Sequence, residues 1–226
     1  MNALFFISAL IFAAPKIEIS EPSFDFGYSL SSYSYRHTFR IYNKGDSPLR
    51  ILGVRTFCGC STTELSKRAI ESGDSASFEF LYETQGFFAE CVKWAYVRTD
   101  DPEDSLSKIN VTIRLYEDYK RTPFSVEPEF LFLGKTDSLK SSVNLVLKNN
   151  SKTDYTIKLV ETPVVLEEVD FQPGVLEAGQ TLNLALRPRT DVADVSKFKS
   201  SITFEAYTQT ETVRFSVPLL VEFANR

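Results

Sequence analysis

Apolar and polar side chains alternate along much of this chain, and the alternation predicts β-strands. Between residues 33 and 41 the odd-numbered positions are largely apolar, as at Tyr35, Phe39 and Ile41, whereas even-numbered positions such as Arg36 and Thr38 are polar. A period of two residues places the two sets on opposite faces of one strand. The same reasoning predicts strands at 49–54, 75–82, 91–98, 109–116, 139–147, 156–160, 181–187, 200–206 and 212–223.

The strand pattern occurs twice, at a constant offset of 106 residues. No gap interrupts the alignment from Glu21 to beyond Gly73. The aligned identities include Glu21-Pro22 with Glu127-Pro128, Phe24 with Phe130, Asn43 with Asn149, and Gly73 with Gly179. Such a repeat indicates two copies of one unit, with a boundary in the charged stretch near 116–123. We therefore expect one domain at 15–118 and a second at 119–226.

Each repeat has the features of an all-β sandwich. Short strands separated by turn residues favour an immunoglobulin-like arrangement, in which two stacked sheets bury one face of every strand. No long segment has a helical period with caps at its ends. The expected fold is therefore two tandem immunoglobulin-like β-sandwich domains. Because Pro218 lacks a backbone N–H, we expect it on an edge strand or at a bulge.

The first residues indicate export. Residues 1–14 form an apolar run without a charged side chain, shorter than the roughly 20 residues that span a bilayer. Its length and its small final residues are typical of the apolar part of a signal peptide. We expect cleavage near Ala13 and a mature protein that is periplasmic or extracellular, without an integral membrane span. The alternative is a buried N-terminal strand or helix.

Composition narrows the function classes. The 226 residues carry 25 Lys and Arg against 30 Asp and Glu, for a formal net charge of −5, and include one histidine. Nucleic-acid binding needs basic surface to neutralise phosphates, so no nucleic-acid partner is expected. His37 lies on the apolar face of its strand, where the second repeat has Val143, and is expected in the core rather than as a general base. We expect no enzymatic activity and no cofactor.

An acidic loop provides a candidate cation site. Its residues, Asp100-Asp101-Pro102-Glu103-Asp104, offer the oxygen ligands that calcium prefers. The loop lacks the alternating spacing of a calcium-binding loop, so we expect a solvated turn.

The three cysteines form the most specific local motif. Cys58 and Cys60 flank Gly59, Cys91 follows later in the first repeat, and the second repeat has no cysteine. Direct closure between Cys58 and Cys60 needs a bend at Gly59, because residues two apart on a strand are separated by about 6.6 Å. A bridge from Cys91 to either cysteine would join two strands. A disulfide or buried thiols are therefore the first prediction, with a redox pair and a Cu(I) or Zn(II) site at Cys58 and Cys60 as weaker alternatives.

A series of motifs runs through the first repeat. In order, they are Glu21-Pro22-Ser23-Phe24-Asp25-Phe26-Gly27, Asn43-Lys44-Gly45, Phe57-Cys58-Gly59-Cys60-Ser61-Thr62, Ile70-Glu71-Ser72-Gly73, Gln85-Gly86-Phe87 and Val97-Arg98-Thr99-Asp100-Asp101. Over residues 21–115 this order resembles a bacterial family of exported domains, the domain of unknown function 1573 family. The resemblance implies a relation to the immunoglobulin-like (ASH-type) domains of Hydin and of ciliary or centrosomal proteins, which serve as interaction modules, and no established enzymatic activity.

These observations favour a non-catalytic, exported structural or protein-interaction module, whose loops and edge strands bind a protein partner. The alternative is a periplasmic thiol-redox or Cu/Zn-handling protein that uses Cys58 and Cys60. A third and weaker hypothesis is a periplasmic pilus-type chaperone, because such chaperones also consist of two immunoglobulin-like domains. The acidic net charge argues against that hypothesis, since these chaperones tend to be basic.

Overall fold

The computed structural model describes residues 13–56, 60–63, 65–135, 142–189 and 197–222. All regular secondary structure in these residues is β. The first repeat contains β1 (Ile17–Ile19), β2 (Ser23–Leu30), β3 (Ser34–Asn43), β4 (Leu49–Thr56), β5 (Cys60–Thr62), β6 (Ala69–Ile70), β7 (Ser75–Glu83), β8 (Ala89–Thr99) and β9 (Leu106–Tyr116). The second contains β10 (Phe124–Glu127), β11 (Leu131–Lys135), β12 (Val143–Asn149), β13 (Tyr155–Glu161), β14 (Leu166–Asp170), β15 (Gly174–Leu176), β16 (Thr181–Pro188), β17 (Lys197–Tyr207) and β18 (Thr212–Glu222).

The first repeat is a sandwich of two sheets. One sheet has the strand order β1-β3-β7-β5, and the other has the order β2-β9-β8-β4-β6. Neighbouring strands are antiparallel, except that β2 and β9 run parallel. Alternate side chains of both sheets meet in one core, among them Phe24, Phe39, Phe80 and Val97. Full burial of each such side chain stabilises the fold by about 1.5–3 kcal/mol.

The second repeat has the same topology. Its sheets have the orders β10-β12-β16-β14 and β11-β18-β17-β13-β15, and the parallel pair recurs between β11 and β18. A separate core contains Phe124, Leu145, Ile157, Phe204 and Phe215. The prediction of an all-β, immunoglobulin-like fold is confirmed.

One buried asparagine per repeat shows how closely the two copies correspond. Asn43 and Asn149 end β3 and β12, and both side chains are fully buried. Each Nδ2 donates to a backbone carbonyl oxygen in the turn that follows and to one in a distant strand. The acceptors are Ser47 and Ile70 for Asn43, and Thr153 and Leu176 for Asn149, at distances of 2.8–3.0 Å.

Replacing Asn149 with alanine should lower the free energy of unfolding by about 1–3 kcal/mol, because the buried carbonyl oxygen of Leu176 and the partly buried one of Thr153 would lose their donor. The neighbouring Asn150 is exposed, so Asn150→Ala should change stability by less than about 0.5 kcal/mol. Chemical denaturation of both variants measures the difference. Equal losses would show that the buried hydrogen bonds contribute little.

The two sandwiches share their larger sheet. One edge of β18 pairs with β17, and the other edge is divided between β2 of the first repeat and β11 of its own. β2 and β18 run parallel, with Tyr28 opposite Phe215 and Ser29 opposite Ser216. A ten-stranded sheet therefore runs through both repeats. The division into domains at 15–118 and 119–226 falls in the connection from β9 to β10 and stays a prediction.

Close backbone contact joins β2 to β18. Gly27 has a φ of +69°, and a Cβ atom at this position would lie 2.0 Å from the backbone oxygen of Arg214. Beside it, the Oγ of Ser216 donates a hydrogen bond to the carbonyl oxygen of Phe26 at 2.7 Å. The hydroxyl of Tyr119 donates to the carbonyl oxygen of Ser216 at 2.6 Å. Only glycine fits at position 27 without moving one repeat away from the other.

The strand that contains Pro218 lies inside the sheet, so its predicted place on an edge strand or at a bulge is wrong. Pro218 is opposite Ser201 of β17. Along the other edge of β18, pairing with β2 ends at Ser216 and pairing with β11 begins at Leu219. Pro218 therefore lies where this edge changes partner, a place in an internal strand that tolerates a residue without an N–H.

Candidate functional site

The predicted cysteine site lies only partly within the described residues. Cys58 is outside them, and Cys60 begins β5, in register with Tyr82 of β7. Cys91 is half-buried on β8, in the opposite sheet, and has no disulfide partner in the described part of the chain. Its Sγ lies 3.8 Å from the carbonyl oxygen of Phe88. The disulfide, the redox pair and the weaker metal alternative at Cys58 and Cys60 stay predictions.

The acidic loop is exposed at Asp100, Pro102, Glu103 and Asp104, as expected of a solvated turn, but Asp101 is buried. Asp101 is only 2% exposed and accepts backbone hydrogen bonds from Ile17, Glu103 and Asp104, at 2.8, 2.7 and 3.1 Å. Burial raises the pKa of Asp101, but these N–H donors outweigh it and hold the pKa below its usual value. Asp101 therefore fastens β1 to the loop between β8 and β9, and its role is structural.

The only histidine of the chain lies between the two repeats. His37 is buried on β3, as expected, and its ring stacks on Phe24 with the ring centres 3.6 Å apart. Its Nδ1 lies 2.5 Å from a carboxylate oxygen of Glu161, at the end of β13. Its Nε2 lies 3.4 Å from Glu21. The other oxygen of Glu161 accepts the backbone N–H of Thr38 at 3.2 Å.

These contacts set the charge of His37. Burial lowers the pKa of His37, but hydrogen bonds and charge attraction from Glu161 and Glu21 outweigh burial, so the pKa is raised. The hydrogen bond from His37 in turn lowers the pKa of Glu21. The three side chains thus form a charged cluster that links the first repeat to the second.

A second polar contact joins the repeats beside this cluster. Arg36 forms an ion pair with Glu79 at 2.5 Å, donates from Nε to the carbonyl oxygen of Lys199 at 3.0 Å, and lies over the ring of Phe198. Lys199 in turn pairs with Glu83 at 2.9 Å. These bonds cross from β3 and β7 to β17 and hold the two sandwiches side by side.

The cavity at this junction is small. It is lined by Arg36, Thr38, Glu79, Glu161 and Ser201 among others, and it has a volume of about 10 Å³. That volume corresponds to one water molecule. The cavity therefore has no room for an organic ligand, and the junction serves to hold the repeats together.

A different surface carries exposed aromatic and cationic side chains. It is the outward face of β4, β8 and β9, where Trp94 is 39% exposed and Leu106 is 56% exposed. The adjacent residue Ala95 points inward and is fully buried. The outward side chains are Leu52, Arg55, Val92, Trp94, Tyr96, Arg98, Leu106 and Lys108, which we call the β8–β9 outer face.

Cations surround the aromatic residues of this face. Strand register places Tyr96 between Arg55 and Lys108, and Arg98 opposite Leu106. The Nζ of Lys108 lies 4.8 Å from the centre of the Trp94 ring, a distance at which a cation and an aromatic ring attract each other. Arg55, Arg98 and Lys108 form no ion pair with a described residue. Arg114, farther along β9 in the same sheet, pairs with Asp25 and Glu90.

Residues 17–113 match the family described as Protein of unknown function (DUF1573). Over this segment the chain is similar to that family. The DUF1573 segment includes β1–β8 and most of β9, and it contains the β8–β9 outer face. The resemblance inferred from the motif order is confirmed. No curated protein matches the chain.

Several solved structures show a distant similarity to this chain. The ASH/PapD-like domain of human CEP192 is 9% identical, with a TM-score of 0.37, over 53% of this chain and 99% of that one. The secreted serine protease VesC from Vibrio cholerae is 12% identical, with a TM-score of 0.39, over 80% of this chain and 48% of the protease. The E. coli chaperone DraB is 12% identical, with a TM-score of 0.35, over 89% and 97%. At these identities and TM-scores, the similarities give no information about the activity or the partners of this protein.

The remaining sequence predictions concern the membrane, metals and export. Within the described residues, no helix is long and apolar enough to cross a membrane. The same residues contain no group of three or more His, Cys, Asp and Glu side chains that could hold a metal ion. The predicted signal peptide at 1–14 lies almost entirely outside the described part of the chain, so export stays a prediction.

Proposed function

We propose that the protein is a non-catalytic, exported interaction module that binds a protein partner through the β8–β9 outer face. The observation that supports the proposal is the exposure of Trp94, which has the Nζ of Lys108 over its ring and Tyr96 two residues farther along β8. Trp, Tyr and Arg are the residues that contribute most to protein–protein binding. Contiguous exposed apolar side chains with a polar rim are typical of interaction sites.

The junction between the repeats supports the same proposal. The shared sheet and the polar contacts across β3, β7 and β17 hold the two sandwiches in one arrangement. A face on a stiff sheet loses little conformational entropy when it binds, and its affinity is correspondingly higher. The second repeat would then stabilise the first repeat in a single orientation.

A photo-crosslinking residue at Leu106 tests this proposal. We expect p-benzoylphenylalanine at position 106 to yield a discrete protein adduct in the native host, because Leu106 lies at the rim of the face and leaves Trp94 intact. The same residue at Val175, which is 62% exposed on β15 of the second repeat, is the matched control and should give no such adduct.

Trp94→Ala, combined with the crosslinker at 106, should reduce the adduct yield by at least about tenfold, because truncating a central aromatic residue removes most of the binding energy. The side chain points out of the core, so the variant should keep the melting temperature of the parent within a few degrees. An adduct that persists without Trp94, or that forms equally at 175, contradicts the proposal.

A further inference from the structure

The cations of the β8–β9 outer face restrict what can cover it. Arg55, Arg98 and Lys108 are exposed and have no carboxylate partner in the described part of the chain. A partner that buries Trp94 and Leu106 would also remove water from these three charges. Removing water from a charge is unfavourable unless an opposite charge meets it. The covering surface must therefore supply anions.

The apolar residues of the face restrict the class of anion. Leu52, Val92 and Leu106 are each more than 40% exposed, and Leu106 lies opposite Arg98. Aliphatic side chains gain free energy when other apolar groups cover them, which a phosphate backbone or a sulfated glycan does not provide. A polypeptide offers carboxylates and apolar side chains on one surface.

The spacing of the cations fits a short segment. Arg55, Tyr96 and Lys108 lie opposite one another on three adjacent strands, so the two cations are separated by about 10 Å. An extended chain covers this distance in about three residues. Carboxylates two or three residues apart can therefore reach both charges while an apolar residue between them lies on Tyr96 and Trp94.

We propose that the partner of the β8–β9 outer face is an acidic segment of polypeptide with apolar side chains among its carboxylates. This inference rests on the proposed function and specifies the chemistry of its partner. A contrast along the same sheet supports it, since Arg114 outside the face pairs with Asp25 and Glu90, whereas Arg55, Arg98 and Lys108 form no ion pair with a described residue.

The test starts from the adduct formed by the crosslinker at 106. Arg98→Glu with Lys108→Glu should reduce its yield by at least about tenfold, because like charges then face the partner. Lys148→Glu with Lys152→Glu is the matched control, since both lysines are exposed on the second repeat and the change in net charge is the same. The control should stay within twofold of the parent.

Mass spectrometry of the crosslinked peptide provides the second readout. We expect a partner segment with a net negative charge and apolar residues near the crosslink. Arg98→Gln with Lys108→Gln removes both charges without reversing them and should give an intermediate adduct yield. This variant replaces the charge reversal in the test if the doubly reversed protein does not fold.

The outcomes separate the two proposals. This inference is overturned if the crosslinked partner segment is neutral or basic, or if charge reversal leaves the adduct yield unchanged. Neither result contradicts the proposed function. An adduct with a nucleic acid, a glycan or a second copy of this chain also overturns the inference. The absence of any adduct at 106 overturns both proposals.

Discussion

Replacing Gly27 with alanine should lower the free energy of unfolding by at least about 4 kcal/mol. The φ of +69° disfavours any residue with a side chain, and the added Cβ would lie 2.0 Å from the backbone oxygen of Arg214. Backbone cannot move aside as the end of a flexible side chain can. The repeats must therefore separate at β2 and β18, with loss of the hydrogen bond from Ser216 to Phe26.

Gly86 is the matched control for this experiment. Its φ is +80°, but a Cβ at this position would meet nothing within 4 Å. Gly86→Ala therefore introduces backbone strain without a steric clash, and we expect it to lower the free energy of unfolding by about 1–2 kcal/mol. Urea denaturation followed by fluorescence measures both variants. If Gly27→Ala costs no more than Gly86→Ala, the close contact between the repeats does not contribute to stability.

His37→Val should destabilise the protein by about 2 kcal/mol at pH 6, since the variant removes both carboxylate contacts of a buried cation. Valine is the natural choice because the second repeat has Val143 at the equivalent position. The change keeps an apolar side chain against Phe24 and leaves Glu161 and Glu21 facing each other without a cation between them.

The loss should depend on pH in a defined direction. The pKa of His37 is raised above 6.5 in the folded protein, so the folded state binds the proton more tightly than the unfolded state. This stabilisation is fully present below about pH 6.5 and disappears as the pH rises through the pKa of folded His37. The pKa of Glu21 is lowered below 4.5, so its contribution is lost as the pH falls below that value.

The difference in unfolding free energy between the parent and His37→Val isolates this effect from other titrating groups. We expect the difference to be largest between pH 5 and 6.5 and to shrink toward pH 9. Denaturation curves at closely spaced pH values measure it. A difference that stays constant with pH would show that His37 contributes packing and no charge.

The strands and the repeat were predictable because both depend on residues close in sequence. Alternation at 33–41 predicts a strand where β3 extends from Ser34 to Asn43. The identity of Asn43 and Asn149 indicated the duplication, and the structure shows that both buried side chains make equivalent hydrogen bonds. Local alternation and equal spacing were enough for the fold class.

The candidate site was less predictable, for two physical reasons. On β8, both alternating sets are apolar, since Val92 and Trp94 alternate with Ala95 and Val97. The pattern therefore predicts a strand but not which face is exposed. The partner of His37 is 124 residues away, and no local pattern pairs a histidine with a distant carboxylate. The buried role of Asp101 was missed because a run of acidic residues indicates a solvated loop unless backbone donors are known.

The pairing of β2 with β18 has a consequence for the synthesis of the chain. Ser216 meets Phe26 across 190 residues, so the first repeat leaves the ribosome long before the second neighbour of β2 exists. Contacts of such separation form slowly, and an unpaired strand edge pairs readily with other chains. Chains in which β18 has not yet paired thus expose the edge of β2, and this edge is covered only when the second repeat folds onto the first.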